Sequence, residues 1–335
     1  ITSDATYTPT VVPAVPTANP ATSKDIQGAT QTGTPTFAGK TVQVNGEDKA
    51  ITIKENSYTL LDNDGNEVTS TPAYAADGTT EIGTYTIDPT TGQVTFTPTD
   101  KSYTGAVTPA KVQAESSNGI KVDTTYTPEI VPVTPTATPA ETEDIQGATQ
   151  TGKPEFKGGT VTVDGVEKTV EINEDVPAKF DDGSTTKTVE GVGTYTVAAD
   201  GTVTFVPEKS FVGTAPAVTV VREDKNGTKA SATYTPTVLP VTPTATPAET
   251  TDIQGATQKG KPEFKGGTVT VDGVEKTVEI NEDVPATFDD GSTTKTVEGV
   301  GTYTVAADGT VTFVPEKSFT GKAPAVTVVR EDKNG

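Results

Sequence analysis

The stretch "GTYTVAADGTVTFVP" (Gly193–Pro207) decides the fold. Tyr195, Val197, Val203 and Phe205 alternate with threonine on either side of an Ala-Ala-Asp-Gly break. Alternation of this kind marks a half-buried strand, and threonine, valine and aromatic side chains suit a pleated surface. The stretch predicts a β-hairpin with Tyr195 and Val197 on one face and Val203 and Phe205 opposite them. Working outward, "TVTVDGVEKTVEI" (Thr160–Ile172) reads as two strands around Asp164-Gly165, and "APAVTVVRED" with "TKASATYTPTV" flanks a tight turn at Asn226-Gly227. No segment sustains a 3.6-residue period, and glycine and proline interrupt every stretch. Short strands at this spacing predict an all-β sandwich of the Ig-like, Greek-key type.

The hairpin is not unique. "GTYT" begins at Gly83, Gly193 and Gly301; "DIQGATQ" at Asp25, Asp144 and Asp252; "TYTP" at Thr6, Thr125 and Thr233. Lys-Ser-(Phe/Tyr)-x-Gly begins at Lys101, Lys209 and Lys317. Asp144–Gly227 and Asp252–Gly335 differ only at the pairs Thr151/Lys259, Lys179/Thr287, Val212/Thr320 and Thr214/Lys322. The first copy diverges and is longer, mainly through Glu55–Glu81. Units of about 100 residues exceed the 20–50-residue period of a solenoid, so each copy is expected to be a separate sandwich, the whole forming an elongated rod. Near-identical neighbours also carry a hazard of swapping equivalent strands.

Composition narrows the function. Of 335 residues, Lys+Arg number 25 against Asp+Glu 46, a net charge of −21 that disfavours nucleic acid and anionic membrane. Cys 0 removes disulfides, thiolate metal sites and cysteine nucleophiles, and His 0 removes the usual general base near neutral pH. Hydrophobic residues make up 32%, which favours small, modest cores over one large one. No apolar run approaches the ~18 residues that read as a membrane-spanning helix, and no signal peptide opens the chain. Ile1 is not a start methionine, so export and anchoring signals are expected outside this stretch.

Proline- and threonine-rich segments separate the copies, and semi-rigid extended spacers are expected there. At ~3.1 Å per residue, a dozen such residues reach roughly 35 Å; alternatively, each segment lies along its domain. The frame that follows is 1–12, a terminal strand of an upstream repeat; 13–24, linker; 25–131, repeat one; 132–143, linker; 144–239, repeat two; 240–251, linker; 252–335, repeat three without its last strand. A competing frame, 1–119, 120–227 and 228–335, puts the Asn-Gly turns between domains. The first frame predicts an open strand edge in repeat three that a second copy's N-terminal strand fills.

Taken together, "DIQGATQTGKPEF", "GTYTIDPTTGQVTFTP", "KSYTGAVTPA", "DKNGTKASATYTPT" and "PVTPTATPAE" make the chain resemble the CshA-type fibril repeat of streptococcal surface adhesins. The resemblance covers essentially the whole chain, three times over. It implies stalk repeats of an extracellular fibril, anchored to the cell wall in the full-length protein, that carries binding domains near its N-terminal end. Partners implied are host-surface or microbial ligands of the parent adhesin. "LPVTP" (Leu239–Pro243) is not a sorting motif, because the required glycine is missing.

Candidate sites are few. Asp62, Asp64 and Glu67 in "LDNDGNE" have the near-alternate carboxylates of a Ca²⁺ loop without EF-hand spacing; a turn rich in Asp, Asn and Gly accounts for them more simply. "FDDGS" at Phe180–Ser184 and Phe288–Ser292 reads the same way. An intramolecular isopeptide bond would join Lys157 to Asn226 and Lys265 to Asn334. The pairs Tyr85/Phe96, Tyr195/Phe205 and Tyr303/Phe313 read as core packing rather than carbohydrate stacking. No paired-carboxylate cleft, nucleotide loop, catalytic residue or cofactor site is expected, so the chain reads as no enzyme. The threonine-rich linkers permit O-glycans. Two functions remain open: a stalk that projects adhesive domains, or repeats that themselves bind host glycoproteins or partner cells weakly and multiply. Head-to-tail or lateral self-association is expected with either.

Overall fold

A computed structural model describes residues 1–335, and its regular structure is all strand. The Gly193–Val197 and Val203–Pro207 strands form the expected hairpin, with Tyr195 opposite Phe205 and Val197 opposite Val203. Its turn is closed by Ala198 N–H to Thr202 O at 2.8 Å, with Gly201 at φ +89°. Asp200 accepts from the Thr202 amide and hydroxyl and from Lys153, which together hold its carboxyl well below the usual range. At Asp164-Gly165 both residues take positive φ, +49° and +80°, as a type I′ turn requires.

Two compact units divide the chain. One comprises Ile1–Thr136, Phe156–Asn173 and Glu223–Ala230; the other comprises Ala137–Glu155, Glu174–Arg222 and Ser231–Gly335.

The first unit contains the sandwich of repeat one. One sheet orders Gln31–Gly33, Val94–Pro98, Glu81–Ile87 and Ser70–Tyr74. The facing sheet orders Ala21–Ile26, Lys121–Val131, Ala110–Glu115, Thr59–Leu61 and Glu67–Val68. Ala21–Ile26 runs parallel to Lys121–Val131, pairing Ala21 with Tyr126 and Ile26 with Val131. Within the longer Glu55–Glu81 stretch of the first copy, Glu67–Val68 is a strand without a counterpart in repeat two, whereas Thr59–Leu61 and Ser70–Tyr74 match Lys179–Phe180 and Thr186–Val189. Leu60, Val94, Val112 and Tyr126 are fully buried, with Tyr85 edge-on to Tyr126 at 6.1 Å. Across Asn118-Gly119, Ala110–Glu115 and Lys121–Val131 pair antiparallel.

The second unit contains most of repeat two and all of repeat three. In repeat two, Gln150–Gly152, Val203–Pro207, Gly193–Val197 and Thr186–Val189 form one sheet. Ala140–Ile145, Lys229–Leu239, Val218–Glu223 and Lys179–Phe180 form the other, and the first pair is again parallel, Ala140 opposite Tyr234. Tyr195, Val203, Phe205, Val220 and Tyr234 are fully buried between them. Repeat three keeps the four-stranded sheet of Gln258–Gly260, Val311–Pro315, Gly301–Val305 and Thr294–Val297; its other sheet is reduced to Thr287–Phe288 with Val328–Val329.

Of the two arrangements open to the proline-rich segments, lying along the domain is the one found. Residues 13–24 and 240–251 do not stand free as spacers: Thr17–Asn19 pairs with Thr36–Ala38, Ala21–Ile26 joins the main sheet, and Thr244–Thr246 pairs with Glu263–Lys265. In 132–143, Ala140–Glu143 likewise lie in the strand beside Lys229–Leu239. Threonine alternation between prolines satisfies a sheet edge as well as an extended coil, and Pro20, Pro139 and Pro247 fall between strands, where a missing N–H breaks no ladder. Segment 1–12 is exposed and pairs with no strand.

The buried tyrosines set an alkaline limit on stability. Burial pushes the Tyr195 phenol up to about 12 and raises Tyr85, Tyr126, Tyr234 and Tyr303 above the ordinary value of 10.0. The folded state therefore prefers the neutral phenol. Its stabilising contribution is complete below pH 10 and is lost as pH climbs toward 12. Thermal melts followed by circular dichroism should be flat from pH 6 to 9, where the absence of histidine leaves little to titrate, and should fall steeply above pH 10.

Candidate functional site: the repeat-to-repeat clasp

The recurring "DIQG" follows the parallel strand at the sandwich end. In the first unit, Gln27 N–H continues the strand pairing to Val131 O at 2.8 Å, and Ala29 N–H turns back to Ile26 O at 3.1 Å. Gly28 makes this turn at φ +79°. Any Cβ at Gly28 would lie 2.3 Å from Asn226 Oδ1, so the glycine also opens room for a side chain of repeat two.

Gln27 is 1% exposed and uses both ends of its amide. Nε2 donates to Ser102 O at 3.0 Å and Thr228 Oγ1 at 2.8 Å, while Oε1 accepts from Val133 N–H at 3.2 Å. Asn226 Nδ2 donates to Gln27 O at 2.8 Å. Beside them Lys168, on the Gly159–Val170 hairpin, meets Asp25 Oδ1 at 2.5 Å, with both partners partly buried. The hairpin of repeat two, its Asn-Gly turn and the end of repeat one thus close on each other.

Asp224 aims the asparagine. It is fully buried, and its Oδ1 accepts the amides of Asn226 and Thr228, each at 2.9 Å. Only Gly227 takes positive φ, +84°, so the turn is a three-residue loop rather than the two-residue form.

The second unit repeats the clasp. Gln146 N–H donates to Leu239 O at 2.9 Å and its Nε2 to Lys209 O at 2.9 Å; Asn334 Nδ2 donates to Gln146 O at 3.0 Å. Lys276 meets Asp144 at 2.7 Å, and a Cβ at Gly147 would lie 2.2 Å from Asn334 Oδ1. Beneath these polar contacts, Ile145, Val241, Val271 and Val278 pack as a buried cluster. Val241 N–H reaches Gln146 Oε1 at 3.4 Å, a looser bond than its counterpart at Gln27.

The residues singled out in the sequence have other work. Asp62 Oδ1 accepts the amides of Asp64 and Asn66, its Oδ2 accepts Asn66 Nδ2, and these bonds, led by the Asn66 side chain, hold its pKa down. Glu67 pairs with Lys121. In the "FDDGS" loops, Asp182 and Asp290 accept the amides of Ser184 and Ser292, and Lys187 and Lys295 pair with the adjoining aspartates. No three carboxylates converge as metal ligands would. EGTA and Ca²⁺ melting curves are expected to superimpose; a Ca²⁺-dependent rise would make Asp62, Asp64 and Glu67 ligands. The amides of Asn226 and Asn334 are engaged in the clasps, and Lys157 and Lys265 are exposed. Tyr85/Phe96, Tyr195/Phe205 and Tyr303/Phe313 pack across strands with centroids 5.6, 4.6 and 4.5 Å apart, tilted in the first two pairs and stacked in the third.

Sequence reasoning did not find the clasp. Its signal was the recurrence of "DIQG" and Asn-Gly, two turns that each looked self-sufficient. Nothing local couples Asp25 to Lys168.

Tandem Ig-like sandwiches whose recurring motifs meet at their ends define a modular repeat protein. The family described as "Surface adhesin CshA repetitive domain" matches residues 13–130, 132–238 and 240–335, and the chain belongs to that family. It is thus the repeat region of a surface adhesin, a class that resides at the extracellular cell surface. Among solved structures, the NMR structure of repeat domain 13 of the fibrillar adhesin CshA from Streptococcus gordonii is 58% identical, covering 20% of this chain and 86% of that one, with TM-score 0.14. The I9–I11 tandem of titin is 9% identical over 95% of both chains, with TM-score 0.29. Mouse cadherin-23 EC22–24 is 14% identical over 96% of this chain and 98% of that one, with TM-score 0.31. No curated protein matches the chain. No helix is long and apolar enough to cross a membrane.

Proposed function

We propose that the chain is a stalk: non-catalytic repeats that hold adhesive domains away from a cell wall to which the full-length adhesin is anchored. The observation that carries this is the clasp, built twice from equivalent residues, in which a glutamine (buried at Gln27, half-buried at Gln146), a turn asparagine and a partly buried ion pair tie one repeat to the next. A joint held by directional bonds resists bending and twisting more than a bare linker does. The acidic surface, net charge −21, keeps neighbouring fibrils apart. The antiparallel pairing across Asn118-Gly119 supports the frame that keeps each Asn-Gly turn inside a repeat, with 144–239 as repeat two.

Small-angle scattering on the chain, with binding to fibronectin and host cells assayed on the same sample, tests the reading. The expected result is a rod with binding at background. A compact globule overturns the stalk, and specific binding would make the repeats adhesive modules in their own right.

A further inference from the structure

We propose that repeats one and two are shear locks: tension along the chain loads the bonds between the first and last strands of a repeat together, so the repeat holds until it fails as a whole. The load-bearing role rests on the stalk reading, whereas the response to force rests on the topology of each sandwich alone.

The chain enters the main sandwich of repeat two at Ala140 and leaves it at Leu239, in neighbouring strands that run parallel. Ala140 lies opposite Tyr234 and Ile145 opposite Leu239, so entry and exit sit at opposite ends of the pair. Tension therefore drags the two strands past each other along their common axis. The evenly spaced bonds of a parallel ladder then share the load, and none opens ahead of its neighbours. An antiparallel pair would place entry and exit at one end, where the ladder peels one bond at a time. Repeat one has the same geometry, with Ala21 opposite Tyr126 and Ile26 opposite Val131. The Gln27–Val131 and Gln146–Leu239 backbone bonds, at 2.8 and 2.9 Å, carry each ladder one residue further.

Buried side chains fasten the same strands. In repeat two, Thr142 Oγ1 donates to Gln150 Oε1 at 2.6 Å, which leaves the Tyr234 hydroxyl to donate to Thr142 at 2.7 Å. Gln150 Nε2 closes the loop on Thr237 O at 2.8 Å. The first strand, the last strand and Gln150–Gly152 of the facing sheet are thus bonded together. Tyr234 is 0% and Gln150 3% exposed, so water has no access to replace a loaded bond. A Cβ at Gly152 would lie 2.2 Å from the Tyr234 ring, which seats the ring in a trough and opposes sliding of its strand. In repeat one the loop is Ser23, Gln31 and Tyr126, with bonds of 2.7, 2.7 and 3.0 Å. There Lys24 and Glu129 add an ion pair at 2.6 Å across the same two strands, where repeat two has Glu143 opposite Thr237.

The test is single-molecule pulling on the whole chain in two directions. Held by its termini, the chain should show a high-force rupture for each of repeats one and two, each releasing roughly 35 nm, about 100 residues at ~3.5 Å each. The chain has no native cysteine, so Glu141→Cys with Thr235→Cys supplies a second pair of handles. Those residues face each other at one end of the ladder, and pulling there should peel the same bonds at a several-fold lower force. Thr142→Val keeps the side-chain shape but breaks the loop, and should lower the rupture force of repeat two while leaving that of repeat one. Smooth extension without high-force ruptures overturns the proposal, as does equal force in both pulling directions. Scattering separates the two readings: a rod that lacks these ruptures keeps the stalk and removes the lock.

Discussion

Tyr234→Ala is expected to cost repeat two roughly 3–5 kcal/mol, the range for truncating a large buried aromatic side chain. That is a large part of the 5–15 kcal/mol that holds a typical domain together. Three observations set the size. The ring is fully buried, it lies against the floor at Gly152, and its hydroxyl bond to Thr142 ties the last strand to the first. Alanine leaves a cavity that the rigid floor cannot collapse into, and it leaves the partly buried Thr142 hydroxyl with its bond to Gln150 alone. Urea denaturation should show an early transition for repeat two. Two controls separate packing from composition. Gly152→Ala overpacks the same trough and should cost about 1–3 kcal/mol, whereas Gly260→Ala, with no ring above it, should cost little. Tyr7→Ala, at an exposed tyrosine of the same motif, should leave the midpoint unchanged. Equal losses at Tyr7 and Tyr234 would mean that the motif acts through the unfolded chain and not through this trough.

The contrast between Tyr7 and Tyr234 also shows how far the sequence was legible. Alternation in Gly193–Pro207 read directly as strand, because period 2 places Tyr195 and Phe205 on one face whatever the rest of the fold does. Asp164-Gly165 read directly as a turn, because few residue pairs accept two positive φ values in succession. The proline-rich segments stayed open between spacer and segment lying along the domain because extended coil and edge strand share the same backbone region; only the partner strands, about 20 residues away for Thr17–Asn19 and about 100 for Ala21–Ile26, distinguish them. The clasp was hidden for a related reason. Asp25 and Lys168 are both polar residues beside turns, and their pairing across 143 positions depends on how two sandwich ends meet. Local chemistry fixes each element, whereas the site belongs to the contact between elements.

Gln27→Ala is the second large effect expected, and it tests the clasp. Removing the amide orphans the N–H of Val133, a residue 1% exposed, and an unsatisfied buried donor costs roughly 1–3 kcal/mol. The bonds to Ser102 O and Thr228 Oγ1 are lost as well. Because Thr228 belongs to the turn of repeat two, part of the loss falls on the joint rather than on either sandwich. Hydrogen exchange resolves the two. Amides of the Gly159–Val163 and Val166–Val170 hairpin and of Val133 should lose protection, while those of the Gly193–Pro207 hairpin should keep it. Gln27→Glu retains an acceptor for Val133 but replaces the donor with a carboxylate facing Ser102 O, so it should restore Val133 and not the joint. At the second clasp, Gln146 holds Val241 at 3.4 Å, and Gln146→Ala should cost less. Uniform loss of protection through repeat one would assign Gln27 to its own sandwich; loss confined to the hairpin and Val133 assigns it to the joint.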